Sequence, residues 1–278
     1  MKRSLLFLIL LLLPLSIARA QTNESVGDPE SFYRVYQYDT PLTGWLELNL
    51  WNTYIPQSDL SYDHFGEEHD RTGLLATSLE AEYGLTDHLS VAGYVDFEDP
   101  HGGDFEFTRG RVEARYRFAQ RYDWPVNLGL YAEYYFPRHD FSDSQELETR
   151  IIADKDFNDY RVALNAIFSK DTTGSESSSE VRGSLAAGVY WRRYLNVQPG
   201  LEYYADFGEL GKIPRLDDQH HTIFATVDWR WSKNWVWHFG VGKGLTNASD
   251  DWVVKSILTY EFNVIRPTEL FPRHEFVR

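Results

Sequence analysis

The chain has 278 residues, no cysteine and a formal net charge of −15, from 27 basic and 42 acidic side chains. The lack of cysteine excludes disulfides and cysteine-based metal or nucleophile sites, and the acidic balance argues against a nucleic-acid partner, which needs a basic surface. The mean hydropathy of −0.46 excludes a bundle of transmembrane helices. It does not exclude a membrane β-barrel, because only every second residue of a barrel strand faces lipid.

Residues 1–20 have the pattern of a secretory signal peptide. The basic start Met1-Lys2-Arg3 precedes an apolar run from Leu5 to Leu15, and Ala18-Arg19-Ala20 is an A-x-A cleavage site. The alternative, a membrane anchor, is disfavoured because the run is short for a membrane span. We therefore predict an exported protein whose mature chain begins at Gln21.

Residues 21–42 are polar and show no periodicity, with Gly27, Asp28, Pro29 and Pro41 among them. Glycine and proline are typical of turns and irregular segments. We predict that this stretch is an N-terminal lead-in located in the periplasm. The sequence leaves open whether it plugs the lumen of the domain that follows.

Residues 43–262 alternate apolar and polar side chains with a period of two, which is the periodicity of β-strands. In residues 111–118, four charged side chains alternate with four apolar ones: Arg111, Glu113, Arg115 and Arg117 against Val112, Ala114, Tyr116 and Phe118. About 12 such runs follow one another. Each is close to the roughly 9–11 residues that a tilted strand needs to cross a bilayer.

The connections between the runs alternate between short turns and mostly longer loops that are rich in Asp, Gly, Ser and His. This layout is typical of outer-membrane barrels, which have short periplasmic turns and longer external loops. We predict an all-β fold, a transmembrane antiparallel up-and-down β-barrel of about 12 strands, followed by a periplasmic tail at residues 263–278. The alternative, a secreted β-sandwich, is disfavoured because its strands average about 5–6 residues.

Two stretches resemble Gram-negative outer-membrane barrels. They are the turn G-L-T-D-H-L at Gly84–Leu89 and the closing stretch FGVGKGLTNASDDWVVKSILTYEF at Phe239–Phe262. The chain is similar to a broad grouping of outer-membrane transporters that includes proteins named for a meta-pathway of phenol degradation. Its LTYEF resembles the terminal aromatic signal that the barrel-assembly machinery recognises, although here a tail follows Phe262. The resemblance implies an outer-membrane location more than a particular activity.

The fourth predicted strand carries the most concentrated set of charges, with Arg109, Arg111, Glu113, Arg115 and Arg117 on one stripe. In a barrel, its arginines would face acids of neighbouring strands across the lumen and create a transverse field that selects ions. The alternative is that the same arginines pair with the acids and fill a narrow lumen. The predicted lumen selectivity residues are Arg109, Arg111, Glu113, Arg115, Arg117, Glu80, Glu82, Asp96 and Glu133.

Four tyrosines also fall on the polar side of their strands, where they would give an aromatic solute a stacking surface: Tyr94, Tyr131, Tyr135 and Tyr204. We therefore predict a channel or transporter for small polar or aromatic solutes. Two alternatives remain, an outer-membrane enzyme acting on lipid or peptide, and a closed barrel with a structural or adhesive role for its loops.

Histidines in the loops suggest a metal or catalytic site, but their spacing matches no recognised site. We predict no metal ligand, no cofactor and no catalytic residue. The pair His88 and Ser90 has the spacing of outer-membrane lipases, yet it lies at a periplasmic turn, and Val91 stands where a lipid A deacylase has Asn. The pairs Asp63-His64 and His69-Asp70 would suit a protease-type barrel, but such pairs are common in acidic loops.

The predicted partners follow from the predicted location in the outer membrane of a Gram-negative bacterium. They are the lipid and lipopolysaccharide of that membrane, a small-molecule solute, and, during biogenesis, periplasmic chaperones and the barrel-assembly machinery. The identity of the solute and the oligomeric state do not follow from the sequence.

Overall fold

The computed structural model describes residues 32–174, 180–194 and 196–264. The predicted signal peptide and nearly all of the predicted tail lie outside these residues. Within them the strands are β1 Trp45–Gln57, β2 Ser61–His64, β3 Glu67–Asp70, β4 Leu75–Gly84, β5 Leu89–Asp99, β6 Glu106–Arg117, β7 Asn127–Pro137, β8 Glu146–Phe157, β9 Tyr160–Asp171, β10 Arg182–Trp191, β11 Val197–Glu209, β12 His220–Arg230, β13 Trp235–Gly244 and β14 Trp252–Asn263. A single-turn 3₁₀ helix covers Leu216–Asp218, and no helix of the described residues is long and apolar enough to cross a membrane.

Twelve of these strands form one closed antiparallel barrel. Each of them pairs with its neighbour in the chain, and β1 pairs with both β4 and β14, so the sheet has no free edge. The remaining two strands, β2 and β3, form a small hairpin within the connection between β1 and β4. The predicted fold class and strand number are confirmed.

The two faces of the barrel have opposite chemistry. Outward side chains are large, apolar and exposed, as shown by Leu79 at 50%, Ile151 at 50% and Leu201 at 57% relative exposure. Inward side chains include many buried charges, among them Glu82 and Lys255. This arrangement is the reverse of a soluble sheet packed on an apolar core and matches a barrel surrounded by lipid.

Aromatic side chains cluster on the outward face near the strand ends. Trp229 packs against Trp231, which stacks on Trp235, and Trp235 contacts Tyr260. At the opposite strand ends, Tyr134 packs against Phe136 and Phe97 against Phe107. Such rings occupy the lipid–water boundaries of membrane barrels, because they combine an apolar body with a polar edge.

The connections divide by end, as predicted. We call the end with the connections β4–β5, β6–β7, β8–β9, β10–β11 and β12–β13 the short-turn end, and the other the long-loop end. The tightest connection, between Phe157 and Tyr160, has Asn158 at a φ of 52°, a left-handed conformation that suits asparagine in a two-residue hairpin turn. Both chain ends of the barrel, Trp45 and Asn263, lie at the short-turn end.

The predicted lead-in lies only partly within the described residues. Residues 32–42, which we call the plug segment, run inside the barrel, whereas residues 21–31 lie outside the described part. The plug segment passes Gly84 at the short-turn end, where a Cβ would lie 2.1 Å from the Leu42 carbonyl oxygen. It then continues to Tyr33 in the half of the barrel nearer the long loops, where Tyr33 contacts His220. The physical reason is that aromatic side chains of the plug segment fill the space that the barrel wall encloses.

Candidate functional site

The plug segment is held at mid-barrel by hydrogen bonds to its main chain. The Asn165 amide on β9 accepts from the Tyr36 N–H at 2.7 Å and donates to the Tyr36 carbonyl at 2.8 Å. The Tyr36 ring packs on Tyr131 with ring centroids 4.9 Å apart, and the guanidinium groups of Arg115 and Arg150 lie 5.0 Å from its centre. The Asn165 side chain thus takes the place of a neighbouring strand, because the buried backbone groups of an irregular segment need hydrogen-bond partners.

Nearer the long loops, Tyr33 anchors the plug segment in an aromatic cluster. Its ring centroid lies 5.1 Å from that of Tyr204 and 5.0 Å from that of Phe224. Lys255 donates to the Tyr33 carbonyl and forms a buried ion pair with Glu202. The lumen is filled at this level, because Tyr33, Phe224 and Lys255 each have at most 1% of their surface exposed.

At the short-turn end, charged groups hold the plug segment. The Tyr38 N–H donates to Asp154 at 2.7 Å, and Arg121 in the β6–β7 turn donates to both Asp39 and Asp154 at 2.8 Å. Burial alone would raise the pKa of the Asp39 carboxyl, but the hydrogen bonds and charges of Arg121 and Arg161 hold that pKa below its ordinary value. Asp39 therefore keeps its negative charge, and with it the ion pair, down to a lower pH than an ordinary aspartate would.

The long-loop end is covered in part by the β2–β3 hairpin. Arg71, which follows this hairpin, donates to Asp250 through Nε at 2.9 Å and through a terminal nitrogen at 3.0 Å. Neither side chain has more than 1% of its surface exposed. His64 of the hairpin is also buried, with Nδ1 3.5 Å from the Glu98 carboxylate. The hairpin is thus tied to the β13–β14 loop and to β5.

The structure brings the predicted stripe of arginines together with the predicted acids. The Asp96 carboxylate lies 3.0 Å from Nε of Arg109 and 2.8 Å from Nε of Arg111. A terminal nitrogen of Arg111 also lies 2.8 Å from Glu133. These side chains face the lumen as predicted, but their mutual pairing leaves few of their hydrogen-bonding groups free for a solute.

The other half of the stripe is paired in the same way. Arg115 forms ion pairs with Glu82 and, at 3.1 Å, with Glu113. Arg117 instead donates to the main-chain carbonyl of Asp87 in the β4–β5 turn. Glu80, a further predicted member, accepts from the indole N–H of Trp51 at 2.7 Å.

The four predicted stacking tyrosines are also placed inside the barrel, where the chain itself occupies their faces. The Arg111 guanidinium lies 4.0 Å from the ring centre of Tyr94 and 5.7 Å from that of Tyr135. Tyr131 packs against Tyr36, and Tyr204 against Tyr33, as described above. Sequence reasoning missed the three tyrosines of the plug segment, Tyr33, Tyr36 and Tyr38, although the stretch FYRVYQY was a visible aromatic signal.

The residues considered for catalysis or metal binding are not assembled into such a site. The Ser90 hydroxyl donates to Glu82 at 2.6 Å, whereas Nδ1 of His88 lies 2.9 Å from the Arg117 carbonyl oxygen. Each of the two is therefore engaged elsewhere and they do not form a nucleophile–base pair. Within the described residues there is no group of three or more His, Asp or Glu side chains placed to hold a metal ion.

A cavity lies between the plug segment and the barrel wall. It has a volume of about 290 Å³ and extends from the short-turn end to mid-barrel along β1 and β10–β14. Its wall carries charges of both signs: Arg34, Asp39, Glu47, Arg115, Arg161, Arg192, Glu202, Asp228, Arg230, His238 and Glu261. The cavity ends beneath the cluster of Tyr33, Tyr204 and Phe224, none of which lines it.

Comparison with known proteins supports the fold. No family model and no curated protein matches the sequence, so the resemblance to the phenol-degradation grouping stays a prediction. Among solved structures, an outer membrane channel from Pseudomonas putida F1 is similar with a TM-score of 0.57 and 12% identity, over 81% of this chain and 97% of that one.

The KdgM porin is similar with a TM-score of 0.54 and 10% identity, over 78% of this chain and 99% of that chain. A second structure shows the KdgM porin in complex with disordered oligogalacturonate, with a TM-score of 0.53 at 10% identity. At such low identity these similarities establish a shared architecture and no more. The chain has the closed antiparallel β-barrel fold of porin-like outer-membrane proteins.

Proposed function

We propose that this protein is an outer-membrane channel for small polar solutes, exported through the signal peptide at residues 1–20. In this proposal the short-turn end faces the periplasm and the long-loop end faces the exterior, as is usual for bacterial barrels. The observation that carries it is the inverted barrel, with an exposed apolar outer face and buried charges inside. Lipid and lipopolysaccharide would surround it, after delivery by chaperones and the barrel-assembly machinery.

The described state is closed. The plug segment and the cluster around Tyr33 fill the lumen nearer the long loops, so passage requires the plug segment to move. The main hydrogen bonds that hold it, from Asn165 and Asp154, connect side chains to main chain and can be replaced by water once the segment leaves. Release of the segment would then expose the arginine stripe and the stacking tyrosines to a solute.

The solute class follows from the groups that release would expose. Arg111, Arg115 and their acid partners would serve as the selectivity element, and Tyr131 and Tyr204 would offer ring faces to an aromatic solute. The similar KdgM porin was observed with oligogalacturonate, an acidic sugar polymer. We extend to this chain only the idea that a small polar solute crosses a lumen with charged walls.

The test is single-channel conductance of the refolded mature chain in a planar bilayer. Since the protein contains no cysteine, a disulfide between the plug segment and β10 can be sought with the pair Val35→Cys and Ala186→Cys, two positions of one packed cluster. We expect small or rare openings when the disulfide is formed and larger ones after reduction, with thiol labelling to report closure. A folded barrel that is silent in both states would instead indicate a structural or adhesive role.

A further inference from the structure

Charged side chains line the cavity beside the plug segment, and they differ in whether they have an ion-pair partner. Most of the charged groups in its wall already have a partner of opposite sign within 3.0 Å. Arg161 pairs with Asp39 at 3.0 Å, Arg230 with Glu261 at 3.0 Å, and His238 lies 2.6 Å from Asp228. The two arginine pairs neutralise each other's charge and the imidazole of His238 engages Asp228, so these groups shape the wall without selecting a ligand.

Arg34 differs from the other cations of the wall. Its guanidinium lies 5.1 Å from the ring centre of Trp51 and 5.2 Å from that of Tyr36. Among residues 32–174, 180–194 and 196–264, no carboxylate forms an ion pair with it. A guanidinium that is fixed by stacking and has unused planar donors is a good receptor for a carboxylate, which it binds with two parallel hydrogen bonds.

Glu47 is the corresponding acidic side chain. The strand register places it directly between Glu82 on β4 and Glu261 on β14, so three carboxylates stand side by side at one level of the wall. Arg115 neutralises Glu82 and Arg230 neutralises Glu261, whereas Glu47 has no ion-pair partner within the part of the chain that the structure describes. Since like charges opposite one another on a sheet are unfavourable, this position attracts a cation.

We propose that this cavity binds a small zwitterionic solute, one that carries an ammonium group and a carboxylate on a short chain. The carboxylate would bind Arg34 and the ammonium group would bind Glu47. The volume of about 290 Å³ lies just below the roughly 300–1,000 Å³ of pockets for drug-sized ligands, which suits a small metabolite. The inference rests on the proposed channel function and names a solute class for it.

The site joins a residue of the plug segment to a residue of the barrel wall. Arg34 belongs to the former and Glu47 to β1, so a solute that bridges them is bound only while the segment is in place. A ligand shifts an equilibrium toward the state that it binds better. Occupation of the cavity therefore stabilises the closed state, and the solute leaves the site when the plug segment moves.

The experiment compares three probes that differ only in their charged ends: γ-aminobutyrate, butyrate and butylammonium. Binding to the refolded mature chain in detergent is measured by calorimetry, which requires no conductance. We expect γ-aminobutyrate to bind at least about tenfold more tightly than either singly charged probe, because a hydrogen bond to a charged group contributes about that factor or more. Equal affinities for the three probes would overturn the proposal.

Substitutions assign each end of the probe. Arg34→Gln should weaken γ-aminobutyrate and butyrate about tenfold and leave butylammonium unchanged, and Glu47→Gln should do the reverse for the two singly charged probes. Matched controls on the outer loops are Arg138→Gln and Glu67→Gln, which should change none of the affinities. If γ-aminobutyrate binding is insensitive to both cavity substitutions, the site is not the one proposed.

Folding of each variant is checked by heat-shifted gel mobility. If a variant does not fold, the proposal is tested by the relative affinities of the three probes for the unaltered chain. The two proposals fail separately. Binding without conductance would overturn the channel function and leave the zwitterion site standing. Conductance without preferential binding of γ-aminobutyrate would overturn the zwitterion site alone.

Discussion

Asn165 and Tyr36 form a reciprocal pair of hydrogen bonds. The Asn165 side-chain amide accepts from the Tyr36 N–H at 2.7 Å and donates to the Tyr36 carbonyl at 2.8 Å. Asn165 has 0% of its surface exposed. In the lumen this pair takes the place of a strand ladder, because residue 36 belongs to no strand. At mid-barrel, Asn165 therefore contributes to the affinity of the plug segment for the barrel, alongside the contacts of Tyr33 and Tyr38 nearer the two ends.

We expect Asn165→Leu to open the channel more often. The substitution leaves the N–H and C=O groups of Tyr36 unsatisfied, at a cost of about 1–3 kcal/mol for each group. In a planar bilayer the variant should show a higher open probability than the unaltered chain. Asn52→Leu is the matched control, since Asn52 lies on the outward face of β1 and bonds only to Thr77 there. Equal open probabilities in all three proteins would contradict the role assigned to Asn165.

The ion pair between Arg71 and Asp250 leads to a prediction about stability. Asp250→Ala leaves a buried guanidinium without its partner, which typically costs about 3–5 kcal/mol. The free energy of unfolding, measured in urea by heat-shifted gel mobility, should fall by that order. The double substitution Arg71→Met with Asp250→Leu removes both charges and should recover most of the loss.

The control for this pair is the exposed pair of Arg138 and Asp140 in the β7–β8 loop. Exposed ion pairs contribute little, because water screens them and both side chains lose freedom. Replacing Asp140 by Ala should leave the urea midpoint unchanged. A large loss of stability on replacing Asp140, or no loss on replacing Asp250, would show that burial does not determine how much these ion pairs stabilise the fold.

The charged contacts at the short-turn end predict how the closed state responds to pH. The pKa of Asp39 is held below its ordinary value by Arg121 and Arg161, against the effect of burial. A carboxyl whose pKa is lowered contributes fully above its ordinary pKa of about 3.9, and the contribution is lost as the pH falls through the lowered value. We expect closed lifetimes to be constant from neutral pH down to about pH 5 and to shorten only below about pH 4.

Asp39→Asn tests this assignment. The variant lacks the ion pair at every pH, so its closed lifetimes should be short at neutral pH and should not shorten further in acid. Lifetimes are measured in planar bilayers over the same pH series as for the unaltered chain. An opening transition above about pH 5 would show that Asp39 is not the group that sets the response to pH.

The sequence was sufficient to predict the barrel, because its determinants are local. Lipid requires an apolar side chain at every second position, and closure requires an even number of long strands, so periodicity and turn spacing carry the information. The same alternation correctly assigned inward positions such as Arg111 and Glu133. It could not show which acid each arginine meets, because that depends on the register of β5, β6 and β7.

The plug segment could not be predicted from periodicity for a physical reason. It satisfies its backbone through Asn165 and Asp154 of the wall, so its own side chains need not alternate. Two signals were nevertheless present. One was the run of tyrosines at residues 33–38, and the other was the inward glycines of the wall, such as Gly242, where a Cβ would lie 2.6 Å from the Phe224 ring. Inward glycines indicate that something large fills the lumen.

The last prediction concerns the arginine stripe as a selectivity element. Arg111→Ser together with Arg115→Ser leaves Glu133 and Glu82 without these cationic partners and leaves Asp96 paired with Arg109 alone. The lumen then gains negative potential, which concentrates cations and repels anions. In the more open Asn165→Leu background, the reversal potential in a potassium chloride gradient should shift toward cation selectivity. Arg138→Ser, on an outer loop, is the matched control. An unchanged reversal potential would mean that the stripe only packs the lumen and does not select the ions that cross it.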